Sequence, residues 1–229
     1  KIGFHSYIIA DPALIVYLRE NGINCEIHLS GECGEINSQM VASLGKLGLK
    51  RVIFHRKNTF EDMKAVVAKC GKKDGTERIP EFEAFVLNEM CQFTGAFCNS
   101  LHCDEMGYLC RVSYWIGTVR NGDAVPEKIM ALQEQAWNQE PDLKAYDESG
   151  YLCGETGCGL CALYQLKQAG ITHLKLVGRG NYVDHMEKDI RNLRKALEIL
   201  DAAENEREFK CTLKRIVFPA GCSERCYYQ

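Results

Sequence analysis

Four short apolar runs begin near residues 1, 25, 51 and 82, and the first three each lead into a stretch of helical period. Strands joined through helices are forced to run parallel, because a tight turn can only reverse the chain. Strands are expected at 1–9, 25–29, 51–55 and 82–87, with helices at 11–19, 37–47 and 59–69. The signals are local: Pro12 early in the first helix, Met40, Leu44 and Leu47 on one face of the second, and Thr59 capping the third. Further along, helices are expected at 126–135, 157–168 and 182–205, with a fifth strand at 172–177. A closed eight-stranded barrel needs three more strands and typically about 250 residues. The expected fold class is therefore α/β: a parallel, barrel-like (β/α) fold, incomplete at its N-terminus. The start at Lys1 rather than Met agrees with a fragment. Residues 1–90 form the βα repeats, 91–127 a Cys-rich loop region, and 128–229 the remaining barrel elements with a Cys-containing tail.

Charge excludes little by itself. A net charge of −3 gives no field to draw in nucleic acid or an anionic membrane. The basic clusters at 64–73 and 188–195 read as solvated helix faces rather than an RNA patch. There is no run of eighteen apolar residues, so no membrane span is expected.

The chain carries 13 cysteines, an odd number that cannot pair completely. Small disulfide scaffolds are also much shorter. A metal or cluster in a reducing cytoplasm is the expected use. Cys91, Cys98, Cys103 and Cys110 form one group, and Cys153, Cys158 and Cys161 a second. Zinc sites favour two pairs separated by two to four residues, and Cys158–Cys161 is the pair read as fitting closely. Wider, irregular spacing suits a cluster held by four thiolates from different loops. Cys161 is then a spare, packed as a small apolar side chain. Cys25 and Cys70 read as core or helix-face residues, whereas Cys33 lies near the functional rim.

Ligands of such folds sit at the carboxyl ends of the strands. His28 and His55 are placed there, with Arg56 following and Glu83 early in the fourth strand. Imidazoles can move protons near neutral pH, and a guanidinium can fork onto a carboxylate. A histidine held under a loop as a satisfied polar group is the alternative reading of either ring.

Glu83-Ala84-Phe85, Cys91 eight residues after the Glu, and Cys98 seven further on resemble the signature of the collagenase-like peptidases, the U-thirty-two group. Asp11-Pro12, Glu26-Ile27-His28-Leu29-Ser30 with Asn37, and Lys50-Arg51-Val52-Ile53 with Arg56 resemble its other segments. Cys158, ahead of Ala169-Gly170 and Val177-Gly178-Arg179, stands at the family's interval. Leu87 replaces a family His, Val177 replaces a Glu found in many relatives, and Gly95 falls one place early. The third cysteine position is open between Cys103 and Cys110, with Cys110, next to Arg111, favoured.

The resemblance implies a barrel-like fold and, in several relatives, a 4Fe-4S cluster used in oxygen-independent hydroxylation of RNA bases or quinone precursors, some with prephenate as hydroxyl source. Carried onto this chain, the ligands are Cys91, Cys98, Cys110 and Cys158, with Cys103 and Cys161 as alternates. His28, His55, Arg56 and Glu83 would line the substrate face. Two other functions are weighed: a metal-dependent peptidase, with zinc an alternative metal and a histidine or Glu83 activating water, and a cluster or zinc scaffold for a partner protein. Substrates are a small molecule, an RNA or a peptide, with a partner subunit conceivable and no membrane.

Overall fold

A computed structural model describes residues 3–34, 36–70, 79–88, 150–178 and 182–228. The first strand, β1 (Ser6–Ile9), leads into helix α1 (Pro12–Glu20). Asp11 starts that helix by accepting a hydrogen bond from the Ala13 N–H at 2.9 Å, with Pro12 at the first position. Strand β2 (Glu26–Leu29), a 3₁₀ turn (Gly31–Cys33) and helix α2 (Ser38–Gly45) follow. Asn37 caps α2 through the N–H groups of Gln39 and Met40, both at 3.0 Å. After β3 (Leu49–Ile53), helix α3 (Phe60–Cys70) opens on a reciprocal cap. There the Thr59 N–H donates to the Asp62 carboxylate, and the Asp62 N–H to the Thr59 hydroxyl.

Strand β4 (Glu81–Leu87) comes next, then a 3₁₀ turn (Leu160–Ala162), α4 (Leu163–Gln168), β5 (His173–Leu176), α5 (Val183–Ala202) and α6 (Glu206–Val217). The five strands pair in parallel in sequence order, β1-β2-β3-β4-β5, and curl into a half-barrel. The expected incomplete barrel-like α/β fold is what forms.

Strand alternation divides the sheet into two faces. Ile27, Leu29, Val52, Phe82, Ala84 and Val86 join the core under the helices, against Ile15, Val41, Met63 and Val66. The other face carries Ser6, Glu26, His28, Arg51, Glu81 and Glu83, where side-chain hydrogen bonds tie β1 to β2 and β3 to β4. A polar inner face is therefore built into β1 to β4 by the phase of each strand.

Two helical expectations need correction. The helix expected at 157–168 begins only at Leu163, after a 3₁₀ turn. Gly157 has φ 150, and Cys158 is held in strand-like bridges on both sides. The helix expected at 182–205 ends at Ala202. Asn205 instead caps α6, which was not anticipated, by accepting from the Glu208 N–H at 3.0 Å. The helix expected at 126–135 lies outside the described residues, as do Cys91, Cys98, Cys103 and Cys110.

Candidate functional site at the carboxyl ends of the strands

The β3 end is positioned by backbone proximity. A Cβ on Gly31 would stand 2.8 Å from the His55 nitrogen and 2.9 Å from the Ile53 oxygen. Only glycine lets the 3₁₀ turn lie on the end of β3 this closely. The loop after β3 is pinned by Asn58, whose side chain accepts from the His55 N–H at 3.1 Å and donates to the Ile36 carbonyl at 2.9 Å. His55 is fully buried, and its Nδ1 accepts from the Lys57 N–H at 3.2 Å. A neutral ring in that bond carries its proton on Nε2.

Arg56 follows His55 and is 7% exposed. Its guanidinium lies 3.7 Å above the Phe85 ring and 5.8 Å from the centre of Tyr227. Its ion pair with Glu32 is long, at 3.4 Å. His28 is on the inner face one strand away, with Nε2 3.0 Å from Glu26 and 3.4 Å from the Ser6 hydroxyl. The His28 hydrogen bond lowers the Glu26 pKa. Glu83 sits lower on β4, 7% exposed, and accepts from Arg51 at 2.8 Å. The structure thus brings His55 and Arg56 to the rim, while it ties His28 to Glu26 and Glu83 to Arg51 by hydrogen bonds along the inner face.

The end of β4 is built from distant segments. Asn88 adopts φ 69 there, a left-handed conformation that asparagine tolerates better than most residues. Its N–H donates to the Gly157 carbonyl at 2.8 Å, and the Gly159 N–H donates to the Val86 carbonyl at 2.7 Å. Asn88 also donates to the carboxyl group of Asp189 at 2.6 Å, which accepts from Tyr151 at 2.7 Å. Asp189 is fully buried, so this pair locks α5 onto the end of β4.

Cys158 sits in the middle of this construction. It bridges Leu87 on one side and Cys226 on the other. Its N–H donates to the Arg225 carbonyl at 2.8 Å, and its own carbonyl accepts from the Tyr227 N–H at 2.9 Å. Burial pushes the Cys158 thiol up to about 12, with smaller contributions from Cys161, Cys226 and Cys222 nearby. Burial likewise raises Cys153, helped by Asp189. Sequence reasoning missed Tyr227, Tyr228 and the Cys222–Cys226 pair as neighbours of Cys158. The cysteine pair did carry a signal, since it too has metal-type spacing. The tyrosines carried none, because only tertiary pairing brings them to the rim.

A cluster bound by thiolates needs soft donors, a dry wall and N–H groups aimed at sulfur. Cys158 meets these conditions: it is buried, it packs in the apolar core, and its sulfur receives a hydrogen bond from the Leu160 backbone. The other three thiols assigned to a cluster lie outside the described residues. Among the described residues alone, no three His, Cys, Asp or Glu side chains stand close enough to hold a metal. No described helix is long and apolar enough to cross a membrane.

Comparison with known proteins gives three findings. A stretch of this chain is 30% identical over 93 residues to tRNA hydroxylation protein P of Haemophilus influenzae, covering 40% of this chain and 18% of that protein. The match therefore spans less than a fifth of that relative's length. A crystal structure of an uncharacterized conserved protein from Geobacillus kaustophilus aligns over 81% of both chains, with 13% identity and a TM-score of 0.26. The profile of peptidase family U32 matches residues 1–228, nearly end to end. On that coverage, and with the half-barrel and its Cys158 rim in view, this chain belongs to peptidase family U32.

Proposed function

We propose that this chain takes part in hydroxylating a base of tRNA, without molecular oxygen, at a site where Cys91, Cys98, Cys110 and Cys158 hold a 4Fe-4S cluster. The observation that carries the reading is the place of Cys158. A buried thiol, fixed by backbone bridges on both sides, sits at the end of β4, the rim where ligands of parallel α/β folds bind. Family membership and the similarity to a protein named for tRNA hydroxylation support the chemistry. When bound, the cluster supplies electron transfer or activation of substrate.

The protein's own residues do the rest. His55 holds a ring proton beside the rim, its orientation set by the Lys57 N–H. Arg56 offers a positive charge backed by Phe85. Cys158 would hold the cluster as a thiolate, and its burial, which raises the thiol pKa, would oppose giving up that proton. The substrate is cytoplasmic tRNA, and the protein acts in that compartment. A metal-dependent peptidase draws less support, because Glu83 is engaged by Arg51 and His28 by Glu26.

Anaerobic purification with iron, sulfide and zinc analysis tests the cofactor. The expected result is a brown protein with about four irons per chain, as a Cys₄-held cluster requires. Cys158→Ser should lose the visible absorption. Mass spectrometry of tRNA nucleosides from cells lacking the protein tests the substrate, and should show one hydroxylated nucleoside missing. Colourless protein with stoichiometric zinc, or an unchanged nucleoside profile, would overturn the respective half of the reading.

A further inference from the structure

Arg56 is buried beyond what its described partners account for. A guanidinium offers five N–H donors and cannot give up its charge, so one that is 7% exposed needs acceptors. Two rings back it, Phe85 and Tyr227; the Tyr227 hydroxyl accepts from the guanidinium, while the Phe85 face supplies no full acceptor. Its Glu32 contact is stretched to 3.4 Å, and Glu32 itself is 35% exposed. Among the described residues, Arg56 Nε is buried with no hydrogen-bond partner.

The wall around Arg56 comes from two distant parts of the chain. Phe85 belongs to β4, whereas Tyr227 arrives with the tail that pairs against Cys158. The Tyr227 hydroxyl donates to the Asn88 carbonyl, and the Tyr228 hydroxyl donates to the Phe85 carbonyl at 2.9 Å. Both tyrosines are thus fixed to the end of β4. Glycines leave them room: a Cβ on Gly157 would fall 2.3 Å from the Tyr227 ring, and one on Gly159 3.2 Å from each of the two rings.

We propose that Arg56, walled by Phe85 and by Tyr227 of the tail, is an oxyanion subsite that receives the carboxylate or phosphate of a small ligand at the rim. A planar carboxylate would saturate the guanidinium edge, Nε included, in the bidentate geometry that arginine favours over lysine. A phosphate presents the same oxygens in a tetrahedral frame. Glu32 competes for the same charge, so it tunes the site against weak anions. The subsite rests on the rim being the substrate face, and it deepens that reading by naming the ligand's anionic handle.

Calorimetric titration of the anaerobically purified protein with benzoate and with inorganic phosphate tests this, the two arms separating carboxylate from phosphate. Saturable binding of either probe is expected. Arg56→Lys should weaken it at least about tenfold, the scale for losing a charge-assisted hydrogen bond. Tyr227→Ala should weaken it as well. Glu32→Gln should tighten it, a change of sign that a merely structural role for Arg56 would not produce. Binding of neither probe, undiminished binding by Arg56→Lys, or failure of Glu32→Gln to tighten it would overturn the subsite. So would binding of tRNA but of neither small probe. Iron content is measured on the same samples, so loss of the cluster and loss of the anion site are read separately.

Discussion

At the scale of single residues, the inner face of the half-barrel is an electrostatic device as much as a lining. Glu81 takes hydrogen bonds from Lys50 and Arg51, and these hold its carboxyl down at about 2 against an ordinary 4.5. Its folded pKa lies below the unfolded one, so its contribution is present above 4.5 and is lost as pH falls toward 2. Acid titration of stability should therefore steepen in that window. Glu81→Gln should flatten it, as read by urea unfolding at several pH values. An equally steep profile in the variant would assign the acid sensitivity to another carboxylate. These residues were legible in part. Lys50, Arg51 and Glu83 belong to the segments that suggested the family, yet their mutual pairing was not, because it depends on the register Arg51↔Glu81 and Ile53↔Glu83. Glu83 could be singled out from sequence as chemical, but only the fold shows Arg51 lying against it.

At the scale of elements, what could be read from sequence was what is decided locally. The five strands lie close to the expected apolar runs, because each run carries its own β-forming residues and is bounded by breakers. The caps at Asp11 and Thr59 follow from side chains that satisfy free N–H groups nearby. Local signals failed where tertiary pairing intervened. Residues 157–159 have a helical neighbour yet pair with the end of β4 and with the tail. Asn205 looks like the end of one helix but starts the next, and Phe209 and Leu213 of α6 are fully buried through an otherwise charged sequence. The tail is the least legible element, yet it brings Tyr227 and Tyr228 to the rim. Its anchoring predicts that Tyr228→Ala, which loses the Phe60 ring contact at 5.4 Å and the bond to Phe85, costs about 2 kcal/mol. Urea unfolding gives the loss, and limited proteolysis should show earlier cutting after residue 218. Unchanged proteolysis would mean that the Cys158 bridge and the Tyr227 hydroxyl secure the tail without Tyr228.

At the scale of the whole molecule, the half-barrel leaves a sheet edge. Among the described residues β1 pairs with β2 alone. Ile8 on that strand is 55% exposed and Tyr7 44%, with Phe4 just before it at 69%. An exposed apolar edge is a template for unwanted strand pairing. Ile8→Lys should slow aggregation of the concentrated chain, as followed by light scattering. Equal scattering from both proteins would place the adhesive surface elsewhere.

The double bridge at Cys158 also sets an order of events in time. The thiol lies between the end of β4 and a partner at Cys226, each far away along the chain. A ribosome makes the β4 residues first, then Cys158, and the residues that fix Cys158 from the other side last. Contacts of such long sequence separation form late. A nascent chain would expose Cys158 as an unplaced thiol until residue 226 had emerged. Any metal loaded before then would meet a floppy donor, open to scavenging and oxidation. Completion of the rim therefore waits for residues 225–227, whose emergence acts as its timer.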